Sequence, residues 1–445
     1  MMRRYSGYII VFCIALCLRL GAYSLIKPWH EDVQDNYLIV QDAGEYHQIA
    51  INLLEHNGFS TNPQPPYLPN LTRTPIYPVF LTLIYFLFGI KSHIVILFQI
   101  LLGSASCVLT YHIGRMIFDR NIALTAGTIM ALDHSNIFYS NVLLTETLFT
   151  FIFLLHIFWL FKYLLRLRYY DLIISIIFLG LSTLCRPIVI YFPVFIFILL
   201  FILFKKAGRR QLMSISLILI VFLGVIFPWL VRNHKITGEW MVSSMQKKVL
   251  NWYHIQSTHS KLIDKNQDDS KANESPSFNK SYESGAAENK NPTNAFQIIA
   301  GTSGKYMASM ALFFVMPTGA DFLRLSTGDF FRYNRGDLFS RPFEVLKTAF
   351  REIKFAQWME IAFSFVWLMF IDTAMVIGIY LLIKRKERCV ATALLTIIIY
   401  FVMATGVAFT ARFRVPILPY MILLSSYGMI TRLRMIRNKR RNFKY

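Results

Sequence analysis

Acidic residues are scarce in this 445-residue chain, where 25 Asp and Glu stand against 46 Lys and Arg and give a formal net charge of +21. Charged residues make up only 16% of the sequence, while hydrophobic residues make up 55%. This balance excludes an ordinary soluble globular protein. It does not indicate a nucleic-acid-binding protein either, because the basic residues cluster between long apolar runs, as membrane topology requires. The composition therefore predicts an integral membrane protein.

Cysteine and the familiar catalytic motifs are also scarce or absent. The five cysteines lie within or at the ends of apolar segments, with neither metal-ligand spacing nor a disulfide framework. The sequence has no Gly-rich phosphate loop, no metal-spaced pair of histidines, no Gly-x-Ser-x-Gly motif and no internal repeat. These absences give no support to nucleotide hydrolysis, to serine-hydrolase chemistry or to a histidine-bound metal.

Long apolar runs predict the membrane spans. Ten crossings with both termini in the cytoplasm place every basic cluster inside. These crossings are 8–26, 92–118, 121–138, 143–165, 171–185, 187–204, 211–231, 358–383, 389–408 and 413–431. The run 75–90 contains Pro75 and Pro78, and a crossing there would turn two basic loops outward, so we interpret it as a juxtamembrane or re-entrant helix. No small-residue cleavage site follows the first run, so we expect it to be retained as an anchor. We expect the protein to lie in the plasma membrane, the inner membrane of a bacterium.

This topology predicts the domain organisation. An N-terminal module, 1–231, contains the first outer loop at 27–91, with interfacial helices at 42–57 and 75–90. A larger outer loop spans 232–357 and is polar enough at 257–294 to be flexible. The C-terminal spans at 358–431 precede a basic cytoplasmic tail at 432–445.

Charged residues of both signs collect at the predicted outer boundary. They are Asp42, Arg73, Glu146, Arg186, Arg232, Arg412 and Arg414. Charges within or beside a bilayer are costly and mark functional or paired sites. Guanidinium groups suit phosphate because their planar fork donates two parallel hydrogen bonds. The set therefore indicates a site for an anionic lipid headgroup on the outer face.

Each of these residues also has a purely structural interpretation. Asp42 begins a helical pattern and forms a capping box with Glu45, so it could serve only as a helix cap. Glu146 lies in the first turn of a span, where the helix dipole favours a carboxylate. The arginines could snorkel to the interface, and Arg19, inside the first span, is expected to snorkel or to pair with a carboxylate. The residues alone leave these alternatives open.

Several short motifs resemble those of one class of membrane enzyme, both in their order along the chain and in the side of the membrane predicted for them. They are Asp42-x-x-x-Tyr46, Arg73-x-Pro75-x-Tyr77-Pro78, Thr145-Glu146, Cys185-Arg186-Pro187, Pro228-Trp229-Leu230-Val231-Arg232-Asn233 and Arg412-Phe413-Arg414-x-Pro416. The chain resembles the GT-C glycosyltransferases that use lipid-linked sugars, in the branch with family-39-like and aminoarabinose transferases and relatives of protein O-mannosyltransferases. The resemblance covers roughly 8–254 and 358–431. It departs at Ala43, where many members carry a second acidic residue, which leaves a divalent cation requirement open.

The resemblance implies an all-α GT-C bundle and a reaction at its outer face. The donor would be a polyprenyl phosphate carrying one sugar, and the acceptor a lipid, a glycan or a protein. Transfer would invert the anomeric configuration. The catalytic residues would be Asp42, as general base, and Glu146. The donor phosphate would be bound by Arg186, Arg412, Arg414 and Arg73, and acceptor binding or structural support would come from Glu45, Tyr46 and Arg232. No residue is assigned to a metal.

A second hypothesis is a transporter or flippase for a lipid-linked or anionic solute. Transporters commonly contain internal repeats and place polar residues near the membrane midplane. This sequence has no visible repeat, and its boundary charges lie at one predicted face. The enzyme is therefore favoured, and a glycan polymerase or ligase is a third hypothesis.

Overall fold

The computed structural model describes residues 2–33, 42–203, 208–245, 314, 354–385, 387–405 and 411–442. The described chain is almost entirely helical, as predicted. Its α helices are Met2–Ile26 (α1), Glu31–Val33 (α2), Asp42–Leu54 (α3), Ile76–Phe88 (α4), Ser92–Ile117 (α5), Arg120–Leu132 (α6), His134–Ser140 (α7), Glu146–Arg166 (α8), Tyr169–Cys185 (α9), Phe192–Leu203 (α10), Gly208–Thr237 (α11), Phe355–Lys384 (α12), Arg388–Thr405 (α13) and Leu418–Asn442 (α14). Two 3₁₀ helices occupy Pro187–Val189 and Ala411–Ile417. The predicted flexible segment 257–294 and most of the predicted outer loop 232–357 lie outside the described residues.

Six of the described helices are long and apolar enough to cross a membrane. They are Ser6–Ile26, Ser92–Ile117, Glu146–Arg166, Gly208–Thr237, Phe355–Lys384 and Arg412–Lys439. Four further apolar segments of the described chain are shorter, namely Ile76–Phe88, Tyr169–Cys185, Pro187–Leu203 and Cys389–Thr405. The all-helical membrane fold is thus as predicted, but the number of ten crossings is not confirmed.

The predicted span 121–138 is replaced by two helices. Helix α6 ends at Leu132, Asp133 adopts extended backbone angles, and α7 begins at His134. The Asp133 carboxylate accepts a hydrogen bond from the backbone N–H of Asn136, so it caps α7. An aspartate in an apolar run therefore ends one helix and begins another, and a hydropathy profile alone does not predict this break.

Helix α5 lies at the centre of the described bundle and packs against α1, α6 and α8. Arg19 of α1 points into this core and is only 1% exposed. Its Nε donates to Ser140 Oγ at 3.1 Å and its Nη1 to the Ala15 carbonyl at 3.2 Å. Gly103 of α5 leaves the necessary room, because a Cβ there would collide with both Arg19 and Ser140. Arg19 is therefore buried and does not snorkel, and among the described residues it forms no ion pair with a carboxylate.

Helices α12 and α14 approach each other at two glycines. A Cβ on Gly378 would collide with the Leu424 carbonyl, and one on Gly428 would collide with the Ala374 carbonyl. Small residues allow such close backbone approach between helices in membranes. This contact fixes α14, and with it the 3₁₀ segment Ala411–Ile417 that precedes it.

We expect Gly428→Ala to destabilise the protein by about 1–3 kcal/mol, the usual cost of overpacking. Gly224→Ala is a matched control, because a Cβ at that position in α11 has no atom within 4 Å. There the better helix propensity of alanine should leave stability unchanged or raise it by about 1 kcal/mol. Thermal unfolding in detergent measures both, and equal unfolding temperatures would contradict the close contact.

Candidate active site

The site begins at the first turn of α3. Asp42 and Glu45 lie three residues apart and so share one helix face, and both carboxylates bind the guanidinium of Arg73. Arg73 donates from Nη2 to Asp42 Oδ1 at 2.5 Å and from Nε to Glu45 Oε2 at 2.7 Å. The Arg73 guanidinium also lies 4.9 Å from the centre of the Tyr46 ring. The loop before α4 is thereby tied to α3.

A second arginine joins this carboxylate pair to a third acid. Arg412 donates from Nη1 to Asp42 Oδ2 at 2.6 Å, and its Nε donates to Oε1 of Glu146. Arg186 Nη1 lies 2.7 Å from the same Glu146 oxygen. Five regions far apart in the sequence thus contribute to one network of ion pairs, namely the first turn of α3, the loop before α4, the start of α8, the end of α9 and the 3₁₀ segment before α14.

The network is open at one end and closed at the other. The side chains of Asp42 and Arg412 are 34% and 25% exposed, whereas that of Glu146 is 0% exposed. The second Glu146 oxygen, Oε2, is buried and accepts no hydrogen bond from the described residues. A ligand would therefore meet Asp42 and Arg412 first, with Glu146 behind them.

The arginines set the protonation state of Asp42. Burial alone would raise the pKa of the Asp42 carboxyl, but the charges and hydrogen bonds of Arg412 and Arg73 outweigh burial and lower it to about 2. Burial would likewise lower the pKa of Arg73, yet Tyr46, Glu45 and Asp42 raise it above its usual value. Asp42 is therefore ionised at neutral pH. Both of its oxygens bind arginine, so a helix cap does not account for its position.

Uncharged residues hold the loop around Arg73, and the sequence did not single them out. Asn70 Oδ1 accepts from the Arg73 backbone N–H at 2.8 Å. Ser243 donates to the Thr72 carbonyl at 2.6 Å, and Thr74 donates to the Cys185 carbonyl at 2.9 Å. Thr74 lies inside a motif that the sequence had already indicated, whereas Ser243 carries no charge, spacing or motif that points to it.

Among the contacts that the structure describes, neither Arg232 nor Arg414 joins the network of ion pairs. Arg232 donates from Nη1 to the Asn70 carbonyl at 2.9 Å and stacks over Trp229, so it holds the loop between α3 and α4 in place. Arg414 is 3% exposed, and Asp372 and Asp133 are its acidic electrostatic neighbours. A 3₁₀ helix has three residues per turn, so residues two apart, such as Arg412 and Arg414, point to different sides. Arg414 therefore lies on a different side of this segment from Arg412, and its donor-phosphate role stays a prediction.

The arrangement does not fit a divalent cation between Asp42 and Glu146. Arg412 occupies the place where such an ion would have to bind, and its guanidinium already binds an oxygen of each acid. Within the ranges that the structure describes, no group of three or more His, Cys, Asp or Glu is placed to hold a metal. We therefore assign no step to a metal.

The model of one family, described as dolichyl-phosphate-mannose-protein mannosyltransferase, matches residues 72–231, which is less than half of the chain. The matched part contains Arg73, Glu146 and Arg186, while Asp42 and Arg412 lie outside it. Together with the structural similarities below, this match confirms the resemblance to the GT-C glycosyltransferases. No curated protein matches the sequence.

Three solved structures share the fold. The first is the crystal structure of ArnT from Cupriavidus metallidurans bound to undecaprenyl phosphate, with 13% identity, a TM-score of 0.50 and coverage of 95% of this chain and 60% of ArnT. The second is the apo oligosaccharyltransferase of Archaeoglobus fulgidus, with 15% identity, a TM-score of 0.55 and coverage of 100% and 52%. The third is AglB from the same organism with an inhibitory peptide and a dolichol-phosphate, with 15% identity, a TM-score of 0.53 and coverage of 99% and 52%. The chain thus spans only about half to three-fifths of these proteins, and the likeness establishes the fold.

Proposed function

We propose that this protein is a membrane glycosyltransferase. It moves a single sugar from a polyprenyl-phosphate donor to a lipid, glycan or protein acceptor at the outer face of the membrane. The observation that carries the proposal is Arg412, a partly exposed arginine shared between a partly exposed and a buried carboxylate. The family-model match and the fold are consistent with such an enzyme.

The reaction needs one base and one cluster of positive charge. The acceptor hydroxyl oxygen attacks the anomeric carbon and forms a new C–O bond while Asp42 takes the hydroxyl proton. The bond from the anomeric carbon to the phosphate oxygen breaks, and polyprenyl phosphate leaves as a stable anion without protonation. Attack from the side opposite the phosphate inverts the anomeric centre. Arg412 and Arg186 stabilise the charge that develops on the leaving phosphate.

Arg412 also links donor binding to the strength of the base. A carboxylate whose pKa is about 2 accepts a proton only weakly. A donor phosphate competes with Asp42 for the Arg412 guanidinium, because both are anions that suit its fork. When Arg412 turns to the phosphate, burial of Asp42 is opposed by Arg73 alone, and the pKa of Asp42 rises. The base is thus strongest when the donor is bound.

The direct test is an assay with purified protein and polyprenyl phosphates that carry radiolabelled sugars. Extracted lipids, envelope glycans and proteins serve as acceptors, and covalent transfer with release of polyprenyl phosphate is the expected result. Movement of a lipid-linked solute across vesicles without covalent transfer would instead support the transporter. Absence of transfer for every donor and acceptor would refute the proposed function.

We expect Arg412→Gln to raise the donor KM by about tenfold or more, since a charge-assisted hydrogen bond contributes about 1.5–3 kcal/mol. The same change removes one of the two charges that lower the pKa of Asp42, so that pKa rises and less of the base is ionised at pH 5. The acidic limb of kcat/KM should therefore move to higher pH than in the wild type. Steady-state kinetics from pH 4 to pH 8 measure both effects.

Arg434→Gln is the control for this change. Arg434 pairs with Asp119 at the opposite end of the bundle, with side chains 46% and 42% exposed. It should change neither the donor KM nor the pH profile. An unchanged donor KM in Arg412→Gln would show that Arg412 does not bind the phosphate.

A further inference from the structure

Asp42 is held by two arginines in different surroundings. The Arg73 side chain is 8% exposed, whereas that of Arg412 is 25% exposed. Arg73 binds two acids of one helix, and Arg412 joins that helix to Glu146 on another. Two arginines placed so differently do not perform the same task.

Each of the three nitrogens of the Arg73 guanidinium faces a protein group. Its Nε binds Glu45 at 2.7 Å, its Nη2 binds Asp42 at 2.5 Å, and its Nη1 lies 3.5 Å from the Tyr46 hydroxyl. The Tyr46 ring also covers the guanidinium at 4.9 Å. These contacts use three of the five N–H donors, and the other two lie on a side chain that is only 8% exposed, so a phosphate has little access to them.

The backbone on both sides of Arg73 is fixed as well. Thr72 is bound through its carbonyl to Ser243, and Thr74 through its hydroxyl to the carbonyl of Cys185, next to Arg186. Asn70 accepts from the N–H of Arg73 itself. These bonds leave Arg73 little freedom to follow a ligand, and they hold its guanidinium at a constant distance from α3.

We infer that Arg73 is a positioning residue that Glu45 anchors, and that it orients Asp42 without contacting the donor. By binding Asp42 Oδ1, it leaves Oδ2 turned toward Arg412, where the phosphate and the acceptor meet. This inference rests on the proposed function. It replaces the donor-phosphate role that the sequence predicted for Arg73 and gives Glu45 a defined supporting role.

The test separates positioning from phosphate binding. Arg73→Lys keeps the charge but loses the planar fork that binds two carboxylates at once. We expect kcat to fall about 10- to 100-fold, as for a misplaced catalytic group. The donor KM should stay within about twofold of the wild-type value, in contrast to Arg412→Gln. The dissociation constant for polyprenyl phosphate, measured by calorimetry, should be unchanged too.

Glu45→Gln supplies an independent comparison. It should lower kcat less than Arg73→Lys does, because the amide oxygen still accepts a hydrogen bond from Nε. The double variant should be no slower than Arg73→Lys alone, since Glu45 acts only through Arg73. Fully additive effects would overturn this dependence.

A tenfold rise in donor KM or in the dissociation constant for Arg73→Lys would overturn the inference and assign Arg73 to the donor. If Arg73→Lys does not fold, Glu45→Gln takes its place, and a tenfold rise in the donor KM of that variant would overturn the inference. A wild-type protein without transferase activity would refute the proposed function instead. In that case unchanged binding of polyprenyl phosphate to Arg73→Lys still decides whether Arg73 contacts it.

Discussion

Asp42→Asn should lower kcat for sugar transfer by about 10²–10⁴-fold, the usual contribution of a positioned general base. The asparagine is nearly the same size and its side-chain oxygen still accepts a hydrogen bond from an arginine, so the site should keep its shape. The donor KM should not rise, because Arg412 loses a competing anion and remains free to bind phosphate. A loss in kcat with an unchanged or lower donor KM is therefore the expected signature in steady-state kinetics.

Glu55→Gln is the matched control for Asp42→Asn. Glu55 follows the same helix but is exposed, and its Oε2 accepts only a 3.1 Å hydrogen bond from Asn57. It should leave kcat and donor KM at wild-type values. An Asp42→Asn protein that is present at normal level and keeps more than a tenth of wild-type kcat would show that another group takes the proton.

Charged residues at a membrane boundary are few, and this made part of the site predictable. The sequence indicated Asp42, Glu146, Arg186 and Arg412 because a buried charge must have a partner or a function. The structure brings these four together. Their individual pairings were not predictable, since they depend on which sides of four separate elements face one another.

Local backbone geometry explains most of the differences from the sequence-based expectations. Helix α3 was expected to reach residue 57 but ends at Leu54, because His56 and Gly58 have positive φ angles of 61° and 85°. Arg412 and Arg414 were assigned to one phosphate site, yet the 3₁₀ geometry turns them to different sides. Hydropathy reports neither of these features, because both concern the direction of the chain and not its polarity.

Glu146→Gln should destabilise the folded protein by about 3–5 kcal/mol, the usual cost of breaking a buried ion pair by removing one partner. The variant keeps the shape of the side chain, so the effect comes from its charge. Arg412 would retain Asp42, but Arg186 would retain no carboxylate partner among the described residues. Because both arginines would then lose their fixed orientation toward the phosphate, sugar transfer should also fall steeply.

Asp119→Asn is the control that separates a buried charge from an exposed one. The Asp119 and Arg434 side chains are 42% and 46% exposed, and an ion pair of that kind contributes at most about 1 kcal/mol. Thermal unfolding in detergent should therefore show a large drop in Tm for Glu146→Gln and almost none for Asp119→Asn. Equal Tm values for the two variants would mean that Glu146 is not the carboxylate that balances the charges of Arg186 and Arg412 in the folded protein. The site would then have to be built around Asp42 alone, with Arg412 held by one carboxylate and Arg186 by none.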